Sequence, residues 1–158
     1  HAGDPPFLYE LAHYEWAELA LSVADEQAPP ATAVSDAELL AVPLRVSPLV
    51  WPFSYRFPVH RIGPDYRPDA PPPTPTYLLL YRDPDDEVRF IELNAVSARL
   101  LALLLEHADN PGYTARRALK QITVELGHSD PDVVITGGRD ILADWQRRHI
   151  LYRSPTAD

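Results

Sequence analysis

Apolar residues recur every three or four positions between Phe7 and Asp25, at Leu8, Leu11, Ala12, Trp16, Leu19, Ala20 and Val23. That spacing predicts an amphipathic helix with these side chains turned inward. Asp4 is placed to cap it with Pro5 behind. Pro29 and Pro30 stop the run, because proline removes a donor and clashes with the turn before it. From Pro43 to Pro75 the pattern changes, and prolines at 43, 48, 52 and 58 keep the chain extended or turning, so no helix is expected there. Tyr55–Ile62 alternates as a strand would, with Pro58 suited to an edge or a bulge. Asp69–Pro75, with Pro71, Pro72 and Pro73 in a row, reads as a stiff linker near polyproline II.

Past the linker, Tyr77–Arg82 and Val88–Leu93 are β-rich runs joined by Asp83–Glu87, which predicts a hairpin. Helical patterns follow. Asn94 caps a helix carrying Val96, Leu100, Leu103 and Leu104. Thr114 opens a second, with Ala115, Leu119, Ile122 and Leu126 on one face and Gly127 where a left-handed residue is wanted. Ser129 or Asp130 caps a third, with Pro131 in its first turn and Val134, Ile141, Leu142 and Trp145 inward. It ends near His149, and Ile150–Tyr152 adds a short extended segment. Both hairpin faces are apolar, where a sheet with one wet face would alternate with polar residues. The first helix, with Trp16, is expected to cover one face and the C-terminal helices the other. The class is therefore α+β: a small antiparallel sheet of about three strands, then three helices, with an N-terminal helix packed on it. The expected arrangement is one compact unit, with residues 1–54 packing on a domain of residues 55–152.

Charge and composition narrow the chemistry. With 14 basic and 23 acidic residues the chain carries a formal charge of −9, the wrong sign for a duplex-binding surface. Cysteine is absent, which removes disulfides, thiolate ligands and cysteine nucleophiles and makes the cytoplasm the default location. No run approaches the roughly 18 apolar residues that span a bilayer. The start has neither an initiator Met nor a signal-peptide pattern, so a fragment is expected, with His1 left from a tag.

Candidate chemical groups are sparse. Glu10 and His13 have the i, i+3 spacing of di-iron carboxylate bundles, but no second copy or further carboxylate pair accompanies them. His60, His107, His128 and His149 are scattered singly. No serine sits in a nucleophile turn. No metal, cofactor or catalytic residue is expected, and the chain reads as a binding module rather than an enzyme. Gly137 and Gly138 fall inside a helix, where they point to close approach of another backbone. Packing within the core is the plainer reading there and ligand contact the sharper one. Arg139, Arg147 and Arg148, with Arg116, Arg117 and Lys120, read as solvated helix faces. A DNA-binding regulator using the third helix is the alternative. An open sheet edge offers unpaired backbone groups that a peptide can complete, a weak signal alone because every open sheet has edges.

Residues 55–152, three strands followed by three helices, resemble the RiPP recognition element, the winged-helix-like peptide-docking domain of ribosomal-peptide maturation systems. Ile91-Glu92-Leu93-Asn94 running into Ala95–Leu101 is similar to its strand-to-helix junction. Over almost the whole chain, Phe7–Leu21, Ser47–Pro52, Tyr55–Pro64 and Glu92–Ala95 resemble the C-terminal part of HvfC-type proteins, relatives of the partner subunit of methanobactin biosynthesis. That family's members are often labelled DNA-binding for a separate N-terminal helical domain, which this chain is expected to lack. The resemblance implies a copper-related role. A TIM-barrel multinuclear iron oxygenase would modify precursor cysteines while this chain holds the precursor's leader peptide. Leader binding is then expected by strand addition at Val88, Arg89, Phe90 and Ile91, flanked by Gly138 and Arg139. His13, Tyr14, Trp16, Trp51, Pro52 and Tyr55 are expected to contact the oxygenase.

Overall fold

Leucine and tyrosine fill Thr76–Arg82, and in the computed structural model this run is the middle strand of a three-stranded antiparallel sheet. The structure describes residues 3–28 and 34–155. Pro29 and Pro30, offered as the stop of the first helix, lie outside the described residues, as does His1. The chain divides into two compact units that interleave along the sequence, His1–Glu26 with Leu49–Leu93 and Gln27–Pro48 with Asn94–Asp158. Sequence alone suggests a single unit with a boundary at 54/55.

The first unit is built on β2 (Val50–Tyr55), β3 (Thr76–Arg82) and β4 (Val88–Leu93), in the order β2-β3-β4. The strand expected at Tyr55–Ile62 is corrected. The strand ends at Tyr55, and Pro58 instead precedes a 3-10 turn at Val59–Arg61, because its ring favours a turn there over a continued ladder. Register pairs Trp51 with Leu80 and Phe53 with Leu78 on one side, and Leu80 with Phe90 and Leu78 with Glu92 on the other. The hairpin between β3 and β4 closes on Asp83, whose carboxylate accepts the Asp85 and Glu87 amides at 2.9 and 3.0 Å. Asp86 takes the left-handed conformation at φ 62°.

Helix α1 (Leu8–Ser22) lies against the sheet face that carries Leu78 and Leu80. Its inward residues are Tyr14, Ala17 and Leu21, which join Phe7, Leu49, Phe57 and Val59 in the core. The expected inward set is therefore corrected: Leu8, Ala12, Trp16, Leu19 and Val23 are exposed, and only Leu11 of the large residues packs in part. The helix has apolar residues on two faces, and the bulkier core partners lie across from the second set. Phe7, not Asp4, occupies the cap position, with no side-chain cap. Two side chains anchor the helix instead. Glu10 accepts the Arg56 and Phe57 amides, both at 3.0 Å. Arg82 of β3 donates to the Leu21, Ala24 and Glu26 carbonyls at 3.0, 2.8 and 3.1 Å, tying the end of α1 and the chain just past it to the sheet.

The second unit holds α2 (Ala95–Glu106), α3 (Ala115–Leu126) and α4 (Pro131–Arg147), and their ends follow local chemistry. Asn94, Thr114 and Asp130 cap them through the Ser97, Arg117 and Asp132 amides, and Gly127 ends α3 at φ 63°. Leu126, expected inward, is exposed in the last turn of α3. Leu100, Leu103, Leu119, Ile122, Leu142 and Trp145 form the interior. The final segment is a strand, β5 (Leu151–Arg153), paired antiparallel with β1 (Leu44–Val46), which the sequence pattern does not announce. Gln146 clamps the Val34 backbone through its amide, at 3.1 and 2.8 Å.

Candidate functional site

The two outer borders of the three-stranded sheet differ in what they can accept. Arg82 N–H donates to the Leu49 carbonyl and Asp83 N–H to the Glu87 carbonyl, at 3.0 and 2.9 Å. Because bonded and non-bonded pairs alternate in an antiparallel ladder, these two bonds fix the pattern along both pairs. In β2 the backbone groups of Val50, Pro52 and Ser54 face outward. In β4 those of Val88, Phe90 and Glu92 do. Pro52 has no N–H, so it interrupts the β2 border at its midpoint while leaving the ladder to β3 intact. The β4 border has no such interruption, and among the described residues β4 pairs with β3 alone.

Side chains around β4 come from three segments of the same unit. On the face shared with α1, the Phe90 ring lies edge-on to Tyr14 at 6.4 Å and to His60 at 5.7 Å. His60 Nε2 is 3.1 Å from a Glu92 carboxylate oxygen, which also accepts from Arg61 at 3.2 Å. The His60 side chain is buried, and its Nδ1 has no partner among the described residues. On the other face Arg89 pairs with Asp83 and Glu87. Burial alone would raise the Asp83 carboxyl, but Arg89 and the Glu87 and Asp85 amides outweigh it and hold it below the usual carboxylate range. The border thus presents an exposed aromatic ring between acidic groups at the turn and at Glu92.

The residues singled out from sequence separate into groups. Val88 and Ile91 are half-buried in β4, and Arg89 and Phe90 are exposed. Gly138 and Arg139 lie on α4 in the other unit. Gly138 is buried against Leu119, so of these two only Arg139 faces solvent. Of the residues expected at a partner interface, Trp16 and Pro52 are exposed and Trp51 is half-buried. Tyr14 and Tyr55 are core residues, and burial raises both hydroxyls, Tyr55 to about 12. His13 is half-buried with Nδ1 2.9 Å from the Tyr55 hydroxyl. Glu10 and His13 are therefore spent on internal bonds, and among the described residues no three His, Asp or Glu side chains gather as metal ligands. His60 and Glu92 are the site neighbours that sequence reasoning misses. The one signal for Glu92 is its place two residues after Phe90, on the same face of a strand.

The arginines of α4 are largely answered within their own helix. Arg147 and Arg148 both pair with Asp144, at 3.7 and 2.9 Å. Asp132 and Asp140 add further negative charge to the same helix. A helix that reads duplex DNA needs a cationic face free for phosphates, and this one has less of it than its arginine count suggests. Among the described residues, no helix is long and apolar enough to cross a membrane.

Compared with known families, residues 47–146 match the family model described as the HvfC C-terminal domain. The match takes in the three-stranded sheet and all but the end of the α2–α4 set. No curated protein matches the chain.

Proposed function

We propose, from the premise that this chain belongs to the HvfC C-terminal domain family, that it is a non-catalytic partner in ribosomal-peptide maturation. It holds the precursor's leader peptide as a fourth strand on β4, while a TIM-barrel multinuclear iron oxygenase modifies the precursor's cysteines. The observation that carries this reading is the asymmetry of the sheet, with β2 interrupted by Pro52 and β4 uninterrupted. A guest strand on β4 bonds to the outward groups of Val88, Phe90 and Glu92, each bond contributing about 0.5–1.5 kcal/mol. Its alternate side chains meet Phe90 on one face and Arg89 and Ile91 on the other. Trp16, Trp51 and Pro52 supply the aromatic and proline surface for the oxygenase, since interfaces favour such side chains.

The test separates backbone from side chain at one position. Phe90→Pro removes an outward N–H and leaves the β3 ladder whole, whereas Phe90→Val keeps the N–H and removes the ring. Anisotropy of a labelled leader peptide from a candidate precursor should show binding weakened roughly tenfold or more in Phe90→Pro and far less in Phe90→Val. Equal binding by the two variants would exclude strand addition on β4.

A further inference from the structure

The outward face of α1 takes no part in the core, yet it is patterned. Tyr9, Trp16, Leu19 and Val23 are 82%, 59%, 65% and 70% exposed, with the small Ala12 among them. Their spacing runs three, four, three, four, the seam by which two helices pack lengthwise. A surface helix ordinarily shows one apolar stripe with polar residues opposite. Here Tyr14, Ala17 and Leu21 already make the inward stripe, so the seam is a second one. Single exposed leucines need no explanation, but large residues in register over about 21 Å of helix do. The His13 ring, 5.7 Å from Trp16, props the indole from one side. Ala12 leaves room for a bulky residue from an opposing helix.

The charge beside the seam selects the occupant. Glu15 borders it, is exposed, and has no ion pair among the described residues. Asp25 and Glu26 follow the helix and are exposed. Leu8–Ser22 contains no Lys or Arg. A second copy of this chain is poorly matched, because its α1 has no cation to answer Glu15 and each copy carries a formal charge of −9.

We infer that α1 docks a basic-flanked amphipathic helix of a partner protein along Tyr9, Ala12, Trp16, Leu19 and Val23. This rests on Trp16 facing a partner and is independent of the β4 border. Two synthetic helical peptides test it, each about three heptads long with leucine at both seam positions, one flanked by lysine and the other by glutamate. Anisotropy of the labelled lysine peptide should show saturable binding to the chain, weakened roughly tenfold or more by Trp16→Glu or Leu19→Glu. Val124→Glu, at an exposed site on α3, should leave binding unchanged, and the leader-binding test at Phe90 reads a different border, so this inference and strand addition fail separately. The glutamate peptide should bind roughly tenfold more weakly. No binding of the lysine peptide, equal binding of both peptides, or indifference to Trp16→Glu and Leu19→Glu each overturns the inference. So does a dimer of the chain that Leu19→Glu disperses, which would give the face to a second copy.

Discussion

Gly137 and Gly138 are neighbours on α4 and meet opposite surroundings. A Cβ on Gly137 would have nothing within 4 Å, whereas one on Gly138 would come within 2.3–2.9 Å of three Leu119 side-chain atoms. Leu119 is fully buried, so its side chain would have to shift within the packed core. Gly137→Ala should therefore stabilise the protein by about 0.5–1 kcal/mol, the helix-propensity difference. Gly138→Ala should destabilise it by about 1–3 kcal/mol through overpacking between α3 and α4. Denaturant midpoints of the two variants check both signs. Equal shifts would mean the close approach of α3 and α4 has little hold on stability.

At the scale of elements, the β3–β4 hairpin depends on an ionised Asp83. Its carboxyl is held below the usual carboxylate range, so its contribution to stability is fully present above about pH 4. That contribution fades as pH falls through the depressed folded value. Asp83→Asn should be less stable than the native protein near neutral pH, and the gap should close in acid as the native carboxylate takes up its proton. Urea unfolding of both proteins from neutral pH to about pH 2 measures the gap, and a gap constant across that range would exclude the linkage. Elements defined by such local chemistry are legible from sequence. The Asn94, Thr114 and Asp130 caps, the Gly127 stop and the Asp83 turn all stand where residue type places them. Elements decided by distant partners are not. Periodicity finds α1 but cannot choose between two apolar stripes, and the choice falls to what Phe57, Leu78 and Leu80 pack against. Leu44–Val46 becomes a strand only by pairing with Leu151–Arg153, and Val50–Tyr55 is masked by a proline that an edge position tolerates. In the candidate site, the Val88–Ile91 run is visible as alternation, while His60 reaches Glu92 only through the tertiary fold.

At the scale of the whole molecule, two units share one chain that crosses between them three times. Within the first, Pro52 removes the middle outward donor of the β2 border, whereas Val88, Phe90 and Glu92 keep theirs on β4. Pro52→Val would restore the missing donor and give the sheet two accepting borders. Light scattering of that variant should rise with concentration, while the native protein stays at the smallest species it forms. Identical scattering would show that Pro52 does not guard the border.

On the proposed reading, Pro52 also bears on how the protein stays dispersed while β4 is bare. A bare strand invites copies to join edge to edge, and a sheet receptive on both sides would let them add without end, seeding a fibre. Receptive on one side only, two copies meeting through β4 leave nothing for a third to grip. On that reading growth stops at a pair.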